Sequence, residues 1–148
     1  MKRTVILACV FVVCIGCERS PVEPVPPPSP RLGQTVLVNG FDNAINVTVD
    51  SDGYRLAKYY DFRFYDSLGI TFTGQRDDTG DGAVPISIKV GPAFYLWGSL
   101  AGQKQEFAFV VDVHKLWKPQ FAGLSFFIPD SAPPVVLSNL KVVGWTWH

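Results

Sequence analysis

Cysteine is confined to the first seventeen positions of this 148-residue chain, where Cys9, Cys14 and Cys17 are the whole complement. A domain built from the residues after Cys17 can form no disulfide and no thiolate metal site, so burial alone must hold it together. Histidine is nearly as scarce, with only His114 and His148, which leaves zinc without a ligand set. Glu106 is the only glutamate after Glu23, and most aspartates fall in turn sequences, so the opposed carboxylate pair of a glycoside hydrolase has few candidates. No Gly-x-Ser-x-Gly elbow occurs. Charge of one sign is also missing, since 13 Lys and Arg balance 13 Asp and Glu, and nothing suggests nucleic acid or an anionic lipid surface as a partner. A 3.6-residue apolar period is sustained nowhere except from His114 to Phe121, where Pro119 interrupts it, so helix is a minor component. No internal repeat is present.

The longest apolar run, Val5 to Ile15, is short of the roughly 20 residues that span a bilayer. Lys2 and Arg3 precede it and Gly16 comes after it, the order of an export signal with a basic start, a short apolar middle and a small residue at the cut. The segment Cys14-Ile15-Gly16-Cys17 resembles the lipobox of bacterial lipoproteins, with Gly16 and Cys17 matching and Cys14 in place of the usual Leu. The resemblance implies a lipoprotein signal peptide over residues 1–16, a thioether-linked diacylglycerol on Cys17, and a further acyl chain such as palmitate on the new amino terminus. Two or three chains anchor stably where one is marginal. Glu18, in place of Asp, resembles the outer-membrane sorting class of enteric bacteria. The expectation is a protein lipid-anchored in the bacterial cell envelope, at the outer membrane if the cell is Gram-negative. An ordinary secretory signal with an incidental cysteine is the plain alternative. Loss of Lys2 and Arg3 with the signal leaves a formal charge of −2.

From Glu18 to Gln34 the composition shifts to Pro21, Pro24, Pro26, Pro27, Pro28 and Pro30 with no aromatic residue. Proline-rich chain favours polyproline II at about 3.1 Å per residue, so residues 17–34 read as a tether holding the domain away from the lipid. Residues 35–148 then form one domain of ordinary size.

Strand-period alternation dominates that domain. Tyr54, Leu56, Tyr60, Phe62 and Phe64 share one parity, with Arg55, Asp61 and Arg63 on the other, which predicts a half-buried strand. Val84, Ile86, Ile88 and Val90 alternate with Pro85, Ser87 and Lys89, and Phe107, Phe109, Val111 and Val113 alternate with Glu106, Asp112 and His114. Further strands are expected at 36–38, 45–49, 70–73, 94–100, 124–128 and 137–147, punctuated by turn chemistry at Asp52-Gly53, Ser67 to Gly69, Gly91-Pro92, Ala101-Gly102 and Pro133-Pro134. Many short strands at close spacing predict an all-β, antiparallel β-sandwich of immunoglobulin-like or jelly-roll connectivity.

Phe62-Arg63-Phe64-Tyr65-Asp66, followed by Ser67-Leu68-Gly69, resembles the F-x-L-Y-D motif of a class of bacterial immunoglobulin-like envelope domains, with Phe64 in place of Leu. Gly98 to Gln103 and Phe107 to Phe109 resemble that class's loop and closing strand, and the likeness implies a non-catalytic envelope module. In the C-terminal half, Trp117-Lys118, then 124–128, then 136–143 with Asn139 resembles the closing strands of jelly-roll carbohydrate-binding modules.

Three constellations are candidates for chemistry. In Asp77-Asp78-Thr79-Gly80-Asp81-Gly82, oxygen side chains fall at alternate positions before a glycine, the first half of a calcium loop in which Asp77, Thr79, Asp81 and the carbonyl of Ala83 would ligate Ca2+. Ile88 stands where the twelfth-position Glu is expected, so Asp42, Asp50 or Asp52 would have to complete the sphere; the plain alternative is a solvated acidic turn. Trp145 and Trp147 would project from one face of the last strand and could stack on sugar rings, or equally serve the core. Tyr59 and Tyr65, with Arg63, occupy the parity opposite the apolar stripe and make that face the one for a partner. Asp112 and His114 on one strand face would need a nearby serine to act as a hydrolytic set. The sequence thus leads to a non-catalytic binding or assembly module on a lipid anchor, with an envelope protein or polysaccharide as partner. A calcium-stabilised jelly-roll that binds carbohydrate is the alternative.

Overall fold

A computed structural model describes residues 32–147; the signal segment, Cys17, the proline-rich stretch up to Arg31 and His148 lie outside the described residues, while Leu32 to Gln34, expected as the end of the tether, already pair with the last strand and belong to the domain. Nine strands run β1 (Leu32–Asn39), β2 (Asn46–Val49), β3 (Tyr54–Arg55), β4 (Ser67–Arg76), β5 (Val84–Val90), β6 (Phe94–Leu100), β7 (Lys104–Asp112), β8 (Leu124–Phe127) and β9 (Val135–Trp147). They form a five-stranded sheet in the order β1-β9-β4-β7, with β2 also on β9, and a four-stranded sheet in the order β3-β8-β5-β6. Every pairing is antiparallel. β1 and β2 lie along successive parts of β9 and act as one edge strand interrupted at 40–45. The chain therefore passes between the sheets so that the last strand sits between the first and the fourth. That order is the double Greek key of a jelly-roll, which decides between the two connectivities that the strand pattern leaves open.

The core follows the period of the strands. Leu68, Ile70 and Phe72 of β4 and Leu137, Leu140 and Val142 of β9 face Ile86, Ile88 and Val90 of β5 and Leu124 and Phe126 of β8, all of them buried. Phe72 joins the layers: its ring stacks on Phe107 at 4.9 Å and meets Phe126 of the other sheet edge-on at 5.4 Å. Aromatic pairs in these geometries stabilise beyond their area burial, which suits a domain without disulfides.

Three local expectations give way. Only Tyr54–Arg55 of the stretch to Phe64 forms a ladder. Beyond it the chain drapes along residues 119–124, donating from Leu56 to Leu124, from Tyr60 to Ala122 and from Phe62 to Pro119. Leu56 and Phe62 are buried while Phe64 is 72% exposed, so the alternation reflects anchoring residues in an irregular segment and not a pleat. Residues 62–66 form a turn closed by the Tyr65 amide on the Phe62 carbonyl, and Ser67 to Gly69, expected as turn, begin β4. The possible helix at 114–121 is a pair of short 3-10 turns, Val113–Lys115 and Pro119–Phe121.

β9 carries a bulge that matters for the surface. Its register on β4 steps from Thr71↔Lys141 to Thr73↔Ser138, so Asn139 and Leu140 together oppose Phe72. Asn139 takes a left-handed φ of 56°, a conformation Asn tolerates better than most residues, and Leu140 turns into the core. The bulge lies where the edge strand breaks between β1 and β2, and Gly40 donates there to the Leu140 carbonyl.

Candidate functional site

The outer face of the five-stranded sheet is shaped by small and polar residues at its middle. Thr71 and Thr73 of β4 stand opposite Ala108 and Glu106 of β7, and Asn139 of the bulge closes the other side. Together they line an open trough of about 660 Å³. Asn139 Nδ2 donates to the Thr73 hydroxyl at 3.3 Å, fixing the amide at the trough wall. Short side chains on β4 leave the trough; a longer residue at 71 or 108 would fill it.

Further along the same face, Trp145 and Trp147 lie two residues apart on β9 and share its outward side, as their spacing predicts. Trp145 is half-buried because its six-membered ring comes down on Gly69, where a Cβ would stand 2.7 Å from the ring atom Cη2. Trp147 is 60% exposed, and Val110, the β7 partner of Gly69, is 68% exposed. An apolar band from Trp147 through Trp145 to Val110 thus borders a polar trough. Asp66 ties the end of this band in place, its Oδ2 accepting the Trp147 amide at 2.7 Å.

The tyrosines expected to share a partner face, Tyr59 and Tyr65, lie apart. Tyr65 lies on Gly144, whose outward neighbour is Trp145, and packs against the core on the inner side of β9. Tyr59 is exposed and sits over Gly123, at a cleft on the other sheet. Their shared parity places them on one face only if 54–64 is a strand. Nothing in the sequence marks out the trough residues Thr71, Thr73, Glu106 and Asn139 as a group. Their outward parity is readable, but the adjacency of β4, β7 and β9 is a long-range property.

The loop expected to bind calcium is organised around a guanidinium. Arg76, itself buried, donates from Nε to Asp78 Oδ1 at 2.6 Å and from Nη2 to Asp78 Oδ2 at 2.9 Å, and its Nη1 donates to the Gly82 carbonyl. Hydrogen bonding to Arg76 holds the Asp78 carboxyl below the usual carboxylate range and pushes the Arg76 guanidinium up. A cation among Asp77, Thr79, Asp81 and the Ala83 carbonyl would lie beside this positive charge. Among the described residues no three His, Cys, Asp or Glu side chains group as metal ligands. Asp42, expected as a possible completing ligand, instead accepts from the Tyr54 hydroxyl and the Ala57 amide, and Asp50 accepts from the Asp52 amide. A calcium ion in this loop would have to sit beside the Arg76 to Asp78 pairing or displace it.

Asp112 and His114 are separated in role as well. Asp112 Oδ1 accepts the His114 amide at 2.9 Å and caps the short turn after β7, while His114 Nε2 faces Asp66 Oδ1 at 3.9 Å. Asp112 thus serves the turn backbone, its carboxylate bonded to the His114 amide and not to the imidazole.

The fold and this face define the class: a jelly-roll β-sandwich with an aromatic-bordered trough on one sheet. No family model and no curated protein sequence matches the chain. Among solved structures it is similar to a family 4 carbohydrate-binding module, at 14% identity and a TM-score of 0.50, over 76% of this chain and 78% of that one. A family 11 carbohydrate-binding module from Clostridium thermocellum, solved with a beta-1,3-1,4-mixed-linked tetrasaccharide, aligns at 12% identity and a TM-score of 0.41, over 78% of this chain and 84% of that one.

Proposed function

We propose that this protein is a non-catalytic carbohydrate-binding module of the bacterial cell envelope, held to the membrane through lipidated Cys17 and a proline-rich tether, and that a polysaccharide chain lies on the outer face of its five-stranded sheet. The observation that carries the reading is the indole of Trp145 laid over Gly69 beside exposed Trp147, bordering a trough of hydroxyl, amide and carboxylate groups. Flat apolar rings next to hydrogen-bonding groups suit a sugar, which has an apolar ring face and a hydroxyl rim. The jelly-roll likeness to a carbohydrate-binding module supports the choice of ligand class over a protein partner. The anchor rests on the lipobox resemblance alone, and no calcium is needed.

The test is a glycan panel against the full-length protein, followed by Trp147→Ala and Thr71→Arg. Binding to a neutral glucan or related polymer that falls about tenfold in each variant, the scale of one lost stacking or sterically blocked contact, is the expected result. Silence across the panel overturns the reading. Lipidation is tested separately by Cys17→Ser, which should release the protein from the membrane fraction.

A further inference from the structure

The opposite face carries a second arrangement, which stands independently of the first. Across the four-stranded sheet, Arg55 of β3 is in register with Ser125 of β8, Ser125 with Lys89 of β5, and Lys89 with Tyr95 of β6. All four point away from the core, forming one transverse row. With neighbouring strands roughly 4.8 Å apart, Arg55 and Lys89 are about 10 Å from each other along it. One step along, Ser87 pairs with both Phe127 and Trp97, so a second row of aromatic and hydroxyl groups runs beside the first.

Among the described residues the cations in this row have no anionic partners. Of the described guanidiniums, Arg63 pairs with Asp61 and Arg76 with Asp78, both at 2.6 Å. Among the described residues Arg55 has no carboxylate within 4.0 Å and donates only to the Ser125 hydroxyl, at 3.3 Å. Lys89 has none either, and its Nζ stands 5.6 Å from the centre of the Tyr95 ring. The two border a cleft of about 200 Å³ with Tyr59 and Phe121, and among the described residues no acidic side chain lines it. Beside them the rings of Tyr95 and Trp97 lie 6.3 Å apart and within 23° of parallel, 46% and 73% exposed.

Each part limits the occupant. An uncharged glycan would use the two rings and leave both cations unanswered. Nucleic acid would demand more positive charge than a chain of balanced formal charge supplies. A bilayer favours rings projecting from loops, whereas these lie on a pleated sheet with Ser87 and Ser99 among them, hydroxyls that suit sugar hydroxyls. A carboxylate received by Arg55 gains a planar, bidentate partner, and Lys89 supplies a second point charge one or two sugar units away.

We propose that the outer face of the four-stranded sheet is a second binding face, for a polysaccharide whose sugars carry carboxylates, with Arg55 and Lys89 taking the uronate groups and Tyr95 and Trp97 the ring faces. Attraction between exposed charges is screened over about 8 Å at physiological ionic strength, so the binding must weaken with salt.

The experiment is affinity electrophoresis of the full-length protein in gels containing polygalacturonate, with a neutral β-glucan and phosphatidylglycerol vesicles as parallel probes. Retardation by polygalacturonate at low salt is expected, fading as sodium chloride is raised to about 0.5 M. Arg55→Gln and Lys89→Gln should each weaken it about tenfold, one charge-assisted contact apiece, with unchanged thermal unfolding. Failure to bind polygalacturonate at low salt, or binding indifferent to both substitutions, overturns the proposal. Vesicle binding without polygalacturonate binding overturns it in favour of a membrane contact. The two readings fail separately: loss of neutral-glucan binding in Trp147→Ala concerns the five-stranded face, and loss of polygalacturonate binding in Arg55→Gln concerns this one.

Discussion

The six-membered ring of Trp145 rests on Gly69, close enough that a Cβ at position 69 would stand 2.7 Å from Cη2. Glycine there is what lets a large indole lie down on the sheet instead of standing off it. Replacing glycine by alanine stiffens the unfolded chain and gains about 0.4–1 kcal/mol, but forcing a rigid ring outward costs about 1–3 kcal/mol. Gly69→Ala should therefore lower the denaturant midpoint, Gly69→Val should lower it further, and both should shift tryptophan emission and weaken glycan binding. Unchanged emission in Gly69→Val would mean that the ring does not occupy this position.

The Arg76 to Asp78 pair makes a pH prediction whose direction is fixed. Asp78 is held below the usual carboxylate value, about 3.9, by hydrogen bonding to Arg76, and Asp61 is likewise lowered by its hydrogen bonds to Arg63. A carboxyl lowered in the folded state contributes stability above its unfolded value, and that contribution is lost as pH falls through the folded value. Asp78→Asn should melt below the wild type at neutral pH, and the gap should close below about pH 4. Because a guanidinium closes the loop, calcium at about a millimolar should leave the wild-type melting curve where chelator leaves it. A rise of several degrees would show that the loop opens to a metal.

Tyr54 titrates in the opposite sense. Burial first, then its hydrogen bond to Asp42 at 2.9 Å and the negative charge there, push its phenol up to about 12. A group raised in the folded state contributes stability that is complete below its unfolded value and lost as pH rises through the folded one. Phenolate absorbance should thus include one tyrosine that ionises last, together with loss of structure between about pH 10 and 12. Tyr54→Phe should remove that late step. Its persistence in the variant would assign it elsewhere.

The sheet faces are partly legible in the sequence alone. Val84, Ile86, Ile88 and Val90 alternate because β5 is buried on one side only, and the shared face of Trp145 and Trp147 needs nothing beyond the period of a strand. Parity misleads where it has no pleat behind it: Leu56 and Phe62 are separate anchors of a draped segment, so Tyr59 and Tyr65 inherit a common face they do not have. Two features lie beyond a local reading. The trough needs β4 between β7 and β9, a pairing of residues far apart in sequence, and the acidic loop needs the buried Arg76 side chain to reach the Gly82 carbonyl. Spacing alone makes that loop look like a metal site because alternating oxygens suit either cation.

Asn139 offers the sharpest test of how the trough is built. Its φ of 56° lies in the left-handed region, which costs most L residues about 1–2 kcal/mol, and there its amide reaches the Thr73 hydroxyl while Leu140 turns inward. Two contributions can be separated by substitution. Asn139→Gly keeps the backbone conformation without strain but loses the amide, so stability should hold to within about half a kcal/mol while glycan affinity falls. Asn139→Ala adds the left-handed penalty to the loss of the amide, so it should lose about 1 kcal/mol as well as affinity. Asn139→Val should be worst, since a branched Cβ fits that conformation poorly. Denaturant unfolding ranks the three and the glycan panel reads the trough. Were Val as stable as Gly, the strand would be running through position 139 without the bulge, Leu140 would face solvent, and the trough wall would be absent.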